Sequence, residues 1–205
     1  MLAALALWMT ASAGLAQTEP TPDELVDQGL KQLRRGNYTK ALATLQKVRN
    51  YYRDDPASVR AQLAIADLHF KKRDYEQARF AYEEFRDLHP RHPQLDYVTW
   101  RVGLSVYKRA SKFAGRDQAA TRSAVSVWTG FERRYPDSEH IDDVVKLREK
   151  GRNRLANKEL YVARFYERRG AWQSVQMRAG NLVTDYEGTA ATTEAYALLG
   201  MAQRH

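Results

Sequence analysis

Pairs of adjacent basic residues recur along the chain at a fixed interval. Arg34-Arg35, Lys71-Lys72 and Lys108-Arg109 are spaced 37 residues apart, and Arg168-Arg169 takes a comparable place further on. Cationic side chains form strong, charge-assisted hydrogen bonds with carboxylates. Placed in a row, Arg34, Lys71 and Lys108 would hold the terminal carboxylate or the acidic side chains of an extended ligand. The alternative is that these cations only stabilise the carboxyl ends of helices, by about 0.3–1 kcal/mol each.

Other residue types that carry chemistry are absent or unsuitably spaced. The chain has no Cys, which excludes disulfides, thiolate metal sites and cysteine nucleophiles. The nearest two histidines, His89 and His92, lie among prolines, which is typical of a turn. GxSxG motifs and Gly-rich phosphate loops are missing, and neighbours such as Asp142 and Asp143 point apart on a helix. We therefore expect no enzyme, no cofactor and no metal.

The formal net charge of +8 favours acidic partners. Nucleic acid, anionic lipid and an acidic protein face would each satisfy it. No RNP, KH or zinc-finger pattern accompanies the charge. The export signal described in the next paragraph also argues against a nucleic-acid partner. We therefore expect no binding to nucleic acid.

Residues 1–16 are uncharged and largely apolar. They end at Gly14-Leu15-Ala16, the small-x-small pattern of a cleaved export signal. The segment is shorter than the roughly 20 residues of a membrane-spanning helix. We predict a signal peptide over residues 1–16 and a linker over residues 17–22. A lipoprotein signal would need Cys where Gln17 stands, so no lipid anchor is expected.

Repeated helices must position the basic pairs. An offset of 37 residues aligns apolar positions that are spaced as on one helical face. The aligned triplets, and two later sets with similar spacing, are Ala41, Leu45, Val48; Ala78, Tyr82, Phe85; Ala124, Trp128, Phe131; and Val175, Ala179, Leu182. Strand-like alternation is nowhere sustained. Each block predicts a helix, a turn and a second helix.

Small residues midway along the first helices complete the pattern. Gly29, Ala66 and Gly103 allow two helices to approach closely, while large side chains fill the space between successive pairs. Together these features form the tetratricopeptide signature. The predicted fold class is all-α: a tetratricopeptide-repeat (TPR) superhelix of antiparallel helix pairs, with four pairs and an incomplete fifth. Each basic pair then ends a first helix.

Two longer stretches carry a family resemblance. The segment from His92 to Leu104 reads HPQLDYVTWRVGL, and the segment from Tyr166 to Trp172 reads YERRGAW. They resemble the HPxxDYxxYxxGL and YxxRGAW segments of the third and fourth repeats in the BamD family, also called YfiO or ComL. The stretch from Phe131 to Ser138 is similar to the family's segment between them. The resemblance covers about residues 21–203.

The resemblance implies a non-enzymatic periplasmic scaffold at the inner face of the outer membrane. Such a scaffold docks on the periplasmic domains of BamA, joins other subunits of the assembly machinery, and receives unfolded outer-membrane proteins. It implies that residues 23–92 face clients and that residues 93–205 dock BamA. An arginine of the fourth repeat takes part in the family, and its match here is Arg178. We place Arg168 and Trp172 in the same predicted site.

The sequence departs from the family pattern in three ways. The lipobox Cys is missing, the loop over residues 113–117 is short, and the sequence ends within the fifth repeat.

Three aromatic residues share the register of the basic pairs. We expect Tyr97, Trp100 and Tyr107 to face the groove of Arg34, Lys71 and Lys108, where they would suit the aromatic-rich tail of a β-barrel client. Stacked helices serve many partners, so a different periplasmic TPR adaptor, bound to peptidoglycan or to a secretion system, remains the alternative.

Overall fold

A computed structural model describes residues 19–205, and every regular element in that range is an α-helix. The predicted signal peptide, residues 1–16, lies outside the described residues. The first helix begins at Pro22, so the predicted linker over 17–22 ends one residue inside it. The ten helices of the described range are α1 Pro22–Arg34, α2 Tyr38–Tyr51, α3 Pro56–Lys71, α4 Tyr75–Leu88, α5 Leu95–Arg109, α6 Ala119–Trp128, α7 Phe131–Arg134, α8 Ile141–Glu167, α9 Trp172–Asp185 and α10 Thr192–Ala202.

The helices form four antiparallel pairs and a single fifth first helix. The pairs are α1/α2, α3/α4, α5/α6 and α8/α9, while α7 is one extra turn after α6 and α10 opens the fifth unit. Each of the longer helices packs against the next one along the chain. The chain is an all-α TPR superhelix, as predicted. None of its described helices is both long and apolar enough to span a membrane.

Three of the pairs share the same tight turn. In each of these helix pairs, a backbone N–H donates a hydrogen bond to the carbonyl oxygen five residues earlier, for example from Asn37 to Gln32. This closure requires a left-handed residue one position earlier. Gly36 and Gly170 take that position with φ of 77° and 67°, and Arg73 takes it with φ of 64°. Three of the basic pairs immediately precede this turn, and the fourth, Lys108-Arg109, ends α5, so their position at the ends of first helices is confirmed.

Close approach at the small residues is also confirmed. A Cβ on Gly29 would lie 2.7 Å from Leu45, and Ala66 and Tyr82 belong to one buried core cluster. The large residue follows the small one by 16 positions in both of these pairs. The small residues thus let the two helices of a pair touch, and the stack grows around these contacts.

The third unit departs from the predicted pattern. The spacing placed Trp128 and Phe131 on one helix, but α6 ends at Trp128 because Gly130 adopts a left-handed φ of 71°. Phe131 nevertheless remains fully buried at the start of α7. A bidentate ion pair from Arg148 on α8 to Glu132 on α7, at 2.7 and 2.8 Å, fixes the extra turn.

The first helix of the fourth unit is unusually long. α8 contains 27 residues, almost twice the length of α9. Its first half packs on α6, where a Cβ on Gly151 would lie 2.5 Å from Val125. Its second half packs on α9 and α10. One continuous helix therefore belongs to two units.

Candidate functional site

The predicted partner-binding arginine already has a partner within the chain. Arg178 lies on α9, and its Nη1 donates to Oε2 of Glu159 on α8 at 3.1 Å. Its Nε is buried and has no hydrogen-bond partner among the described residues. About a third of the side chain, 35%, remains exposed. Glu159 thus orients a guanidinium group that still reaches the surface.

Arg168 and Trp172 lie close to each other in sequence, at the turn between α8 and α9. Arg168 caps α8 and is exposed, whereas Trp172 begins α9 and packs against the core of the fourth pair. The ring of Trp172 stacks on His205, with centroids 4.3 Å apart. Arg178 follows six residues later, about one and two-thirds turns along α9. The three residues therefore lie on one helix pair but at different positions along it.

Arg34, Lys71 and Lys108 lie at the same end of successive first helices. All three are exposed, and each stands at or next to the last residue of its helix. They form a row along the edge of the stack where the turns lie. Helix macrodipoles favour cations at these ends, so this placement fits both interpretations given above.

The three predicted aromatic residues do not lie together with this row. α5 is a continuous helix of 15 residues, so Tyr97 lies 11 residues from Lys108, about 16 Å along the axis. Trp100 is close to Tyr97, and its ring stacks on His140 at 4.5 Å. Only Tyr107 is at the end that carries the basic pairs. The expectation of one shared groove is corrected to two separate places on α5.

Tyr97 belongs to a partly buried polar cluster around Asp67. The Asp67 carboxylate accepts hydrogen bonds from the hydroxyls of Tyr82 and of Tyr97, the latter at 2.6 Å. Arg101 donates to the Tyr82 hydroxyl at 3.1 Å and stacks on Phe70 at 3.8 Å. Burial, together with the Asp67 charge, raises the pKa of Tyr82 and of Tyr97, so both hydroxyls stay protonated donors. The cluster joins α3 to α4 and α5.

Similar polar contacts join the other first helices. Each one connects a first helix to the next, and we call the surface they cross the first-helix face, formed by α1, α3, α5, α8 and α10. The contacts are Arg60 to Asp23 and Asp27, Asp67 to Tyr97 and Arg101, Arg154 to Tyr107, and Arg164 to Glu194. The first-helix face is therefore held at every step of the stack.

Sequence reasoning missed this role of Asp67, although a signal existed. At the 37-residue offset, Asp67 aligns with Leu30 and Leu104, so a carboxylate stands where the other units have an apolar residue. Such a residue needs a buried partner, because burial of an unpaired charge is costly.

The two closely spaced histidines lie in the turn between α4 and α5, as expected. Nε2 of His89 is 2.9 Å from the side-chain oxygen of Gln62, and both imidazoles pack on Phe85. Within residues 19–205 no group of three or more potential ligand residues could hold a metal ion.

The fold and its surfaces define a repeat protein of the TPR class. The outer membrane protein assembly factor BamD of Neisseria gonorrhoeae is 27% identical over 215 residues, covering 98% of this chain and 80% of its own length. BamD of Pasteurella multocida is 26% identical over 208 residues, covering 97% of this chain and 80% of its own. A tetratricopeptide repeat protein from Parabacteroides merdae superposes with a TM-score of 0.46 at 11% identity, covering 89% of this chain and 76% of its own.

A family model described as an outer membrane lipoprotein, YfiO, matches residues 18–205. The chain belongs to the YfiO family. Its relatives are named as assembly factors, and the chain, like them, is non-enzymatic.

Proposed function

We propose that the chain is a periplasmic scaffold for the assembly of outer-membrane proteins, held at the inner face of the outer membrane. The observation that carries this proposal is the family match over residues 18–205, which includes all ten described helices. A stack of helix pairs with a continuous first-helix face suits this role, because repeat proteins bind partners along extended surfaces.

The proposed partner of the α8/α9 pair is BamA. Arg178 is the residue that matches the family's partner-binding arginine, and Glu159 holds it in a fixed direction. An oriented guanidinium group loses little conformational freedom on binding a carboxylate. We assign Arg168 and Trp172 to the same surface and residues 93–205 to the docking half.

Residues 23–92 are assigned to clients, and the boundary at residue 92 falls in the turn between α4 and α5. In this assignment unfolded outer-membrane proteins bind along the part of the first-helix face that α1 and α3 form. The row of Arg34, Lys71 and Lys108 lies at its edge and continues onto α5 in the docking half. The row carries only positive charge, which suits a terminal carboxylate.

An affinity pull-down of the tagged chain from crosslinked envelopes tests the proposal. We expect BamA to co-purify with the wild-type chain and at least tenfold less of it with Arg178→Glu. Glu159→Gln is the comparison variant, because it removes the charge that orients the arginine but leaves Arg178 and an acceptor oxygen in place. It should lose less BamA than Arg178→Glu, and thermal unfolding should show that all three proteins are folded.

Two outcomes contradict the proposal in different ways. Equal losses of BamA for Arg178→Glu and Glu159→Gln would mean that the ion pair only packs α8 against α9. Absence of BamA from the wild-type sample would overturn the function, and recovered peptidoglycan or secretion components would then identify a different envelope adaptor.

A further inference from the structure

Three aromatic side chains lie exposed along one strip of the surface. Tyr161 and Phe165, one helical turn apart on α8, are 43% and 37% exposed, and Phe113 in the loop between α5 and α6 is 58% exposed. The rings of Phe113 and Tyr161 pack edge to face, with centroids 5.8 Å apart. Large apolar side chains that are exposed together mark interaction sites more often than single ones.

The loop that carries Phe113 is firmly held. The side-chain amide of Gln118, which is buried, donates to the carbonyls of Ser111 and Phe113 at 3.2 and 3.0 Å. Nζ of Lys158 on α8 donates to the carbonyl of Gly115 at 3.3 Å. A Cβ on Gly115 would lie 2.5 Å from the Phe113 ring, so the ring rests directly on the backbone. Contacts within the chain therefore hold the strip in place without a bound partner.

Cations surround the strip. The guanidinium group of Arg169 lies 3.5 Å above the ring of Phe165, and Nζ of Lys158 lies 6.0 Å from that of Tyr161. The loop adds the exposed side chains of Lys112 and Arg116. The carboxylate of Asp117, the one acidic residue of this loop, accepts from the backbone N–H of Ala119 at 3.1 Å.

The strip is separate from the surface around Arg178. Glu159, which binds Arg178, lies two residues before Tyr161, and therefore about 200° away around α8. The same helix thus presents one side to α9 and the other to solvent.

We propose that Phe113, Tyr161 and Phe165 form a docking surface for an acidic peptide segment of a partner protein, with apolar or aromatic side chains between its carboxylates. The apolar side chains would cover the three rings, and the carboxylates would pair with Arg169 and the loop cations. From Lys158 to Arg169 the strip extends about 16 Å, the length of roughly five residues in an extended chain. A membrane surface fits less well, because rings packed on each other do not project the about 5–10 Å that interfacial insertion requires.

A random 12-residue peptide library displayed on phage tests this inference with the full chain as bait. We expect the enriched peptides to combine Asp or Glu with Phe, Tyr, Trp or Leu. One enriched peptide, labelled for fluorescence anisotropy, should bind Phe113→Ser/Phe165→Ser and Arg169→Glu at least tenfold more weakly than wild type.

Phe80→Ser is the matched control. Phe80 on α4 is 48% exposed and also lies under a guanidinium group, that of Arg79 at 4.1 Å. The peptide should bind this variant with unchanged affinity, and thermal unfolding should match wild type for every variant compared.

Three results would overturn the inference. These are no enrichment at all, enriched peptides that are basic, and equal affinity for wild type and the double aromatic variant. Binding of the chain to vesicles of anionic phospholipid that is lost in Phe113→Ser/Phe165→Ser, without peptide binding, would assign the strip to a membrane instead. The BamA pull-down can be interpreted separately, because it varies Arg178 on α9 and Glu159, whereas the strip is tested at Phe113, Phe165 and Arg169.

Discussion

Trp128 occupies the space that a side chain on Gly103 would need. A Cβ on Gly103 would lie 2.3 Å from Nε1 of the indole, and Trp128 is fully buried in the third unit. We expect Gly103→Ala to lower the free energy of unfolding by about 1–3 kcal/mol, because the packed helices must move apart. Urea denaturation measures this loss in free energy. The m-value should be the same for the variant and for wild type.

Gly180→Ala is the control for that substitution. Gly180 lies within α9, and a Cβ there would meet nothing within 4 Å. This variant should be as stable as wild type or more stable by up to about 1 kcal/mol, since Ala favours helix. Equal destabilisation by both substitutions would contradict close packing at Gly103.

Replacement of Asp67 by leucine, which occupies the aligned position in the neighbouring units, should lower the free energy of unfolding. Asp67→Leu leaves the Tyr82 hydroxyl without its acceptor and Arg101 without its nearest carboxylate, 3.7 Å away. We expect a loss of about 2–3 kcal/mol in the free energy of unfolding. Asp67→Asn keeps an acceptor oxygen and should cost less. If the leucine variant is the more stable of the two, packing outweighs the polar cluster.

The ion pair between α7 and α8 predicts a dependence of stability on pH. The hydrogen bond from Arg148 lowers the pKa of Glu132 below its ordinary value. A carboxyl group with a lowered folded-state pKa stabilises the protein above its unfolded pKa, near 4.3, and this stabilisation is lost as the pH falls through the folded pKa. Glu132→Gln should therefore lower Tm at pH 6 and flatten its decline between pH 6 and pH 3.

Glu84→Gln is the control for the pH experiment, because this carboxylate is exposed and has no ion-pair partner among residues 19–205. Its Tm should follow the wild-type curve at every pH. A Glu132→Gln curve parallel to that of wild type would show that the pair does not contribute to acid sensitivity.

Charge reversal distinguishes the two interpretations of the basic pairs. If the row binds clients, the triple change of Arg34, Lys71 and Lys108 to Glu should weaken binding of a peptide from a β-barrel carboxyl terminus at least tenfold at low salt. Reversal of the second members, Arg35 and Lys72, together with Arg109, changes the net charge by the same amount, and Arg109→Glu additionally breaks the ion pair with Glu76 at 3.3 Å. Equal effects of the two triple variants on affinity would leave only a helix-capping role.

The repeat itself could be predicted because it depends on local spacing. The alignment at 37 residues predicted the pairing of α1 with α2 and of α3 with α4, and it located the first-helix ends from the basic pairs. The break at Gly130 was missed, because Phe131 keeps its apolar position in the pattern even though the helix restarts there.

The surfaces were less predictable than the helices. Whether Arg178 faces a partner or Glu159 depends on a contact between two helices, made by residues 19 positions apart in sequence. The aromatic strip combines α8 with a loop about 45 residues earlier, and no periodic pattern relates the two. Of these features, only Asp67 could have been noticed in the sequence, because leucine occupies the aligned positions in the neighbouring units.

The length of α8 has a mechanical consequence. At 1.5 Å per residue its 27 residues form a stiff arm about 40 Å long, clamped near one end by α6 and near the other by α9 and α10. A turn between the third and fourth units would act as a hinge, but a continuous helix transmits torque. A displacement of the α9 surface should therefore pass through α8 to the α5/α6 pair without an intervening hinge.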